Sequence, residues 1–335
     1  MSSRSAKLIL QQKLQSSAFP LSTGELCHAI DEVVNRRTVL RWLTDWKEQG
    51  LVVKTGHNKG ARYCWVKGQT ARHFAFLDNV PEHRHIALLN QIRDIWTHTS
   101  TAIEGNTLTL GDTFEILEHG LTISGKPIRE HQEVIGHARA IELIYALVFS
   151  EREINTQDLF DLHKAVQTEQ VMDINKPYGH WKIEPNGCNA VDQEDNPVYI
   201  EYAHPVHVER LIEQFLVELN QSMAGRILLD EAANVYAKLH IGFVHIHPFW
   251  DGNGRLARLV ANLPLLRSGL PPLTIDSKWR TAYIKALSSY QIRVGQITPE
   301  RGVWPIYDGF DSFTGVCQNS YKTILDLVFA ASDPD

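Results

Sequence analysis

Residues 247–258 read His247-Pro-Phe-Trp-Asp-Gly-Asn-Gly-Arg-Leu-Ala-Arg258. The stretch packs one histidine, one acid, two glycines, an asparagine and two arginines into a turn and the start of a helix. Gly252, Asn253 and Gly254 accept backbone angles that other residues resist. Such a turn lets several N–H groups converge on one point and form a nest for an anion. The run from Arg255 reads as a helix, whose N-terminus turns unpaired N–H groups and the positive dipole end towards that nest. Arg255 and Arg258 add permanent charge and forked donors suited to phosphate oxygens. Asp251 is placed to hold a Mg²⁺ that also touches the phosphates. His247, just outside the nest, is placed to take a proton from an attacking hydroxyl. A glycine-rich turn before a helix is common, and a histidine beside one usually carries no chemistry. The combination within twelve residues is what favours transfer of a phosphate-containing group from a nucleotide to an alcohol.

The stretch resembles the signature of the Fic family, His-x-Phe-x-Asp/Glu-Gly-Asn-Gly-Arg-x-x-Arg, and agrees with it at every fixed position. The resemblance implies an α-helical fold and transfer of AMP from ATP to a protein hydroxyl. It makes His247 the base and Asp251 the Mg²⁺ ligand. The Gly252–Gly254 backbone would bind phosphates, Asn253 would shape the loop, and Arg255 and Arg258 would contact the phosphate chain. In the Doc kinase branch the glycine before the first arginine is a lysine, so Gly254 points to nucleotidyl transfer.

A second stretch adds to this. Apolar residues recur at helical spacing from Ile86 to Trp96, and the helix runs on into Ser100-Thr-Ala-Ile-Glu104-Gly105. Ser100 and Glu104 share a face, and Gly105 can end the helix in a left-handed cap. Taken alone, this is a helix end with a solvated acid. It also resembles the Fic inhibitory motif, Ser/Thr-x-x-x-Glu-Gly/Asn, in the class whose inhibitor precedes the catalytic core. That resemblance implies that Glu104 pairs with Arg258 and occupies the guanidinium needed by the ATP γ-phosphate. Tyr283, in Tyr283-x-x-Ala-Leu287, resembles the family segment near the nucleotide base.

Composition sets the outer bounds. A hydrophobic content of 43% and a charged content of 21% are those of an ordinary globular chain. At 335 residues there is room for one large domain and one small one. The first 30 residues carry no apolar run of signal-peptide length, and no run anywhere is long enough to span a membrane. Four scattered cysteines with no Cys-x-x-Cys pair favour free thiols in a reducing cytoplasm. The net charge of −6 hides an asymmetry: residues 1–67 carry 11 Lys/Arg against 5 Asp/Glu, or +6, and the remainder carries 22 against 34, or −12. The change of sign marks a domain boundary and a change of partner.

Residues 1–67 read as three short helices and a hairpin. Residues 6–15 form the first helix, the capping box Ser22-Thr-Gly-Glu25 opens the second, and Asn35 caps the third, with Val39, Leu43 and Trp46 on one face. Residues 51–53 and 62–66 flank a polar turn at 56–60. This order looks like a winged helix-turn-helix, with Arg36, Arg37, Arg41, Lys54, Lys59 and Arg62 as candidate DNA contacts. Winged helices also serve as protein-docking or dimerisation modules, and the +6 balance of residues 1–67 tilts the reading towards nucleic acid.

Residues 68–82 read as a linker. Helices are expected at 109–119, 133–149 and 155–166, with His163 on the last read as an ordinary packed or surface histidine. Residues 178–203 suggest a hairpin or irregular loop, at the position of the Fic flap that aligns a target segment by backbone pairing. A helix follows Pro205, another at 231–245 delivers His247 to the loop, and Pro264 should kink or end the helix after the nest. Further helices are expected at 278–290 and 320–331, with 298–311 loop-like. His240, His245 and His247 do not share one helical face, so a zinc site is rejected.

The expected architecture is therefore mainly α: a winged helix-turn-helix domain at 1–67 and a helical Fic domain with a β-hairpin flap at 68–335. Its expected substrates are ATP, with Mg²⁺ as cofactor, and a Ser, Thr or Tyr hydroxyl of a protein. DNA and a second copy of the chain, as a homodimer, are further candidate partners; no membrane is. The alternatives are a DNA-binding regulator whose Fic domain senses nucleotide, and a Fic enzyme that removes AMP with Glu104 positioning water.

Overall fold

The structure is a computed structural model that describes residues 3–17, 20–30, 34–48, 52–55, 61–65, 73–150, 152–167, 175–192, 194, 196–305 and 310–332. The chain divides into two compact units: Met1–His73 with Phe114–Ile123, and Phe74–Thr113 with Ser124–Asp335.

The N-terminal unit runs α1 (Ser3–Ser16), β1 (Leu21–Ser22), α2 (Thr23–His28), α3 (Arg36–Glu48), β2 (Val52–Thr55) and β3 (Arg62–Trp65). Ala6, Leu10 and Leu14 recur every fourth residue along α1 and meet Leu26, Val39, Leu43, Trp46 and Tyr63 in one core. The capping box at the head of α2 is formed: Glu25 N–H donates to Ser22 Oγ at 3.2 Å, and Ser22 N–H to the Glu25 carboxylate at 2.7 Å. A cap of this kind is worth about 1 kcal/mol. The Asn35 side chain accepts from Thr38 N–H at 2.9 Å and starts α3. The strands form an antiparallel sheet in the order β1-β3-β2. The sequence did not announce β1, because two residues are too few to show an alternation. Leu21 pairs with Tyr63 across the ladder. Arg36, Arg37, Arg41 and Lys54 are exposed. Arg62 pairs with Glu25 at 2.9 Å, both half exposed. Lys59 and the turn at 56–60 lie outside the described residues.

The larger unit is mainly helical. Its elements are α4 (His85–Ile103), α6 (Ile128–Val148), α7 (Thr156–Val166), β4 (Gly187–Val191), β5 (Pro197–Glu201), α8 (Pro205–Ala224), α9 (Ala232–Ile246), α10 (Asn253–Val260), α11 (Leu263–Arg267), α12 (Arg280–Val294) and α13 (Asp311–Ser332), while α5 (Leu110–His119) is divided between the two units. The middle of the unit is α9, packed against α8, α10 and α13. From Leu239 to Ile246 every residue of α9 is buried, while Asn234 and Lys238 give its first half a polar side. A Cβ on its Gly242 would meet the Trp304 indole at 2.6 Å, so this close approach needs glycine. β4 and β5 form an antiparallel hairpin in which Gly187 pairs with Glu201 and Val191 with Pro197. Among the described residues, no helix is long and apolar enough to cross a membrane.

Two boundaries differ from expectation. α6 begins at Ile128, not 133, because its first turn is capped by Pro127 and carries polar residues that show no apolar period. α13 begins at Asp311, nine residues before the expected start. Phe313, Val316 and Cys317 are buried there, so packing overrides the loop-like Thr-Gly pair. The helix after the loop is broken near Asn262, as Pro264 demands. The freed groups are repaired by the Asn262 side chain, which accepts from Leu273 N–H at 2.7 Å and donates to the carbonyls of Leu273 at 2.9 Å and Arg258 at 3.0 Å.

Candidate functional site

Residues 247–252 leave α9 and enter α10 through a loop whose backbone groups are held largely by side chains around it. His247 caps α9 in the left-handed region, φ 51 and ψ 59, and is the one non-glycine with positive φ among the described residues. Strain of this kind persists where the surroundings over-determine it. Asn253 determines the bend: its Oδ1 accepts from Phe249 N–H and its Nδ2 donates to Phe249 O, both at 2.9 Å. Gly252, φ 80, caps α10. The backbone N–H groups at the head of α10 therefore face outward without a side-chain cap.

His247 stacks flat on Tyr202, with centroids 3.7 Å apart and planes 2° off parallel. Its Nδ1 lies 3.2 Å from the Val244 carbonyl. A carbonyl only accepts, so Nδ1 carries the proton and Nε2 is the basic nitrogen. Burial, aided by the Lys182 ammonium, holds the imidazole down to about 3, against the opposing pull of Val244 O and Asp251. The ring is therefore neutral at pH 7.

Lys182 is a contact that the sequence did not signal. It is buried, 2% exposed, and its Nζ donates to Asn186 Oδ1 at 2.6 Å. Its backbone N–H donates to Pro248 O at 2.9 Å, and Asn186 Nδ2 donates to Phe249 O at 3.1 Å. Burial pushes the ammonium down to about 7. The segment leading into the hairpin thus braces the loop from one side.

Arg255 is buried and reaches α7, donating to Val166 O at 3.3 Å and Gln167 Oε1 at 3.2 Å. Among the described residues its Nε has no hydrogen-bond partner. The Asp251 carboxylate is 56% exposed and lies 3.5 Å from Arg255. Asp251 also borders a cleft of about 370 Å³ lined by Arg129, His163, Gln167, Lys176, Tyr178 and Trp250.

Arg258 is 1% exposed, and every nitrogen of its guanidinium is engaged. Nε donates to Ser100 Oγ at 2.9 Å, and Nη2 to Ser100 O at 2.8 Å and to Glu104 Oε1 at 2.5 Å. Nη1 donates to the Tyr283 hydroxyl at 3.0 Å, which in turn meets His240 Nε2 at 3.0 Å. Tyr283 therefore braces Arg258. Glu104 ends α4, and Gly105, φ 100, releases the chain. A Cβ built on Gly254 would lie 2.6 Å from Glu104 Oε1. The carboxylate thus stands over the head of α10, at the place where the sequence puts an anion.

The structure brings His247, Asp251, Gly252, Asn253, Gly254, Arg255, Arg258, Tyr283, Ser100 and Glu104 into one unit around α10. It also adds His163, whose Nε2 lies 3.2 Å from Asp251 O. The only hint of this in the sequence was its position four residues after Leu159, on the buried face of α7.

The fold and loop define a helical protein in which an uncapped helix head lies beside a buried arginine, an arrangement suited to an anion. Residues 153–265 match the model of the Fic/DOC family. The protein adenylyltransferase fic-1 of Caenorhabditis briggsae is 33% identical over 207 residues, covering 61% of this chain and 38% of that protein. The protein adenylyltransferase Fic of Drosophila willistoni is 35% identical over 188 residues, covering 55% of this chain and 34% of that protein. A Fic-domain signalling protein of Bacteroides thetaiotaomicron shares the fold with a TM-score of 0.66 at 24% identity, over 77% of this chain and 94% of that one. A fragment of Fic-1 from Caenorhabditis elegans does so with a TM-score of 0.56 at 24% identity, over 98% and 82%. The chain therefore carries a Fic domain, with residues 153–265 the part that matches the family model. It spans little more than a third of the length of the curated relatives it matches.

Proposed function

We propose that the protein is an adenylyltransferase that moves AMP from Mg²⁺-ATP to a Ser, Thr or Tyr hydroxyl of a protein, and that Glu104 restrains it. The observation that carries this reading is the Glu104 carboxylate, which pairs with Arg258 at 2.5 Å and stands over Gly254. An acid held at the head of a helix, beside a buried arginine, marks the seat of an anion it competes with. The curated relatives bear the name protein adenylyltransferase.

In this reading the N–H groups at the head of α10 and the Arg258 fork bind the phosphate chain once Glu104 has moved. Ser100 and Tyr283 still hold Arg258 after Glu104 leaves, so the guanidinium is already oriented. The acceptor hydroxyl gives its proton to His247 Nε2 as its oxygen bonds to the α-phosphorus. The bond from that phosphorus to the bridging oxygen breaks and pyrophosphate leaves. The Asp251 carboxylate suits Mg²⁺, being a hard, exposed oxygen donor at the edge of the nest. Bound there, the ion would offset phosphate charge and orient the leaving group. No cluster of three or more His, Cys, Asp or Glu side chains assists Asp251 among the described residues, so phosphates and water would complete the shell. The test is labelled-AMP incorporation from ATP into protein by the Glu104→Gly variant and by the wild type. Labelling that rises in the variant supports the reading, and none in either opposes it.

A second reading concerns residues 1–67, which we propose form a winged helix-turn-helix domain that binds DNA. It is supported by the order of three helices with a three-stranded sheet, and by three exposed arginines on α3. We also propose a cytoplasmic location, where the four cysteines, all free thiols, would stay reduced.

A further inference from the structure

His163, on α7, is 2% exposed, and its two ring nitrogens meet two different stretches of backbone. Gly179 N–H donates to Nδ1 at 3.0 Å, and Nε2 lies 3.2 Å from the Asp251 carbonyl oxygen. A backbone N–H can only donate, so Nδ1 is unprotonated; a carbonyl can only accept, so Nε2 carries the proton. The neutral Nε2–H ring is the one form that satisfies both. The ring also lies flat on Phe249, with centroids 4.0 Å apart and planes 5° off parallel, which fixes its orientation from a second direction.

The Asp251 oxygen and the Gly252 N–H belong to one trans peptide, planar, with C=O and N–H pointing opposite ways. Pinning the oxygen at one end therefore aims the donor at the other. Gly252, at φ 80, brings no side chain to steady that plane. The Asp251 carboxylate has little hold of its own, being 56% exposed and 3.5 Å from Arg255. We propose that His163 is a positioning residue of the phosphate loop: its Nε2–H fixes the Asp251–Gly252 peptide, and through it the Gly252 N–H and the seat of the Asp251 carboxylate. The inference rests on reading the loop as a nucleotide-phosphate and Mg²⁺ site.

Two substitutions separate the halves of the ring. His163→Asn places an oxygen where Nδ1 stands and keeps the bond from Gly179, but has no donor that reaches Asp251. His163→Gln places an amide nitrogen where Nε2 stands and keeps the donor. Both are made in the Glu104→Gly background, and Mn²⁺ affinity with a non-hydrolysable ATP analogue is read by electron paramagnetic resonance. His163→Asn should weaken Mn²⁺ binding about 10–100-fold, the usual cost of losing an outer-shell partner, and His163→Gln should restore most of it. Equal Mn²⁺ affinity in the His163→Asn variant and its parent would overturn the inference. A second readout needs neither metal nor nucleotide: ¹⁵N NMR of the unaltered protein at neutral pH should find His163 protonated at Nε2. Protonation at Nδ1 would also overturn it. A parent that binds no Mn²⁺-nucleotide at all would count against the transfer reading, and the ring tautomer would still decide the inference.

Discussion

Glu104 Oε1 lies 2.5 Å from Arg258 Nη2 and 2.6 Å from where a Cβ on Gly254 would be. One carboxylate thus accepts from the Arg258 fork and stands over the head of α10. The consequence for Glu104→Gly is a gain: productive ATP binding and AMP incorporation should both rise. If the state with Glu104 displaced is populated at about a tenth or less, the gain is on the order of tenfold or more. Arg258→Ala in the same background should remove transfer, because Arg258 is the group set free. AMP incorporation across the wild type, both single variants and the double variant checks this. An active double variant would show that Arg258 is not what Glu104 blocks.

Gly254→Ala separates displacing the acid from vacating the site. The new methyl would crowd Glu104 Oε1 and come within 3.3 Å of Arg258 Nη1. It should push Glu104 aside yet occupy the space a phosphate needs. The expected outcome is no gain in transfer, in contrast to Glu104→Gly, with little loss of thermal stability. Activation to the Glu104→Gly level would mean that the phosphate does not approach Gly254.

Much of this site was legible because its chemistry lies in two short contiguous motifs. Residues 100–105 and 247–258 name the acid, the nest and the arginines without reference to anything distant. The braces were not legible. Lys182, Asn186 and Tyr202 reach the loop from the hairpin region, and His163 reaches it across 88 residues. None of these carries a local signature, since a buried lysine or histidine acquires its role only from what folds against it. The same holds for Tyr283, whose motif resemblance suggested the nucleotide base but whose hydroxyl meets Arg258 and His240. Among the folded elements, helices with a strong apolar period appeared where expected, while the polar head of α6 and the glycine-bearing head of α13 did not.

His247→Ala should lower transfer by about 10²–10⁴-fold, the usual contribution of a positioned base. The fold should survive, because the ring rests on Tyr202 at the edge of a loop and not within the core. Circular dichroism and single-turnover AMP transfer on the same preparation check both halves. Transfer at the wild-type rate by a folded variant would remove His247 from the reaction.

Acid should weaken the fold before the carboxylates titrate. His245 is buried, and burial holds it down to about 4 although its Nε2–H reaches Gly295 O. Burial holds His137 and His240 well below the ordinary value of 6.5 as well. The unfolded chain binds protons at these rings below about pH 6.5 and the folded chain does not, so stability is full above that pH and declines as pH falls. At about pH 5.5, one unit below the unfolded value, the His245 ring has cost on the order of 1 kcal/mol, and His137 and His240 act in the same direction. Urea midpoints between pH 7.5 and 5 should fall from about pH 6.5 downward, and His245→Gln should flatten the slope. A midpoint constant down to pH 5 would contradict the neutral burial of these rings.

The exposed arginines of α3 make the last prediction. Arg37 and Arg41 are four residues apart on one helical face with Arg36 beside them, while Val39, Leu43 and Trp46 face the core. The basic residues can therefore be changed without touching the packing. If α3 lies along duplex DNA, about three phosphate contacts give a salt slope near −3. Affinity of the full chain for duplex DNA should then fall about 40-fold between 50 and 200 mM salt. Replacing Arg36, Arg37 and Arg41 together by alanine should flatten that slope while leaving AMP transfer by the Glu104→Gly protein unchanged. Fluorescence anisotropy with a labelled duplex reads the first effect and AMP incorporation the second. Salt-insensitive or absent binding would assign α3 to protein docking, and a loss of transfer would show that the substitutions act on the Fic domain.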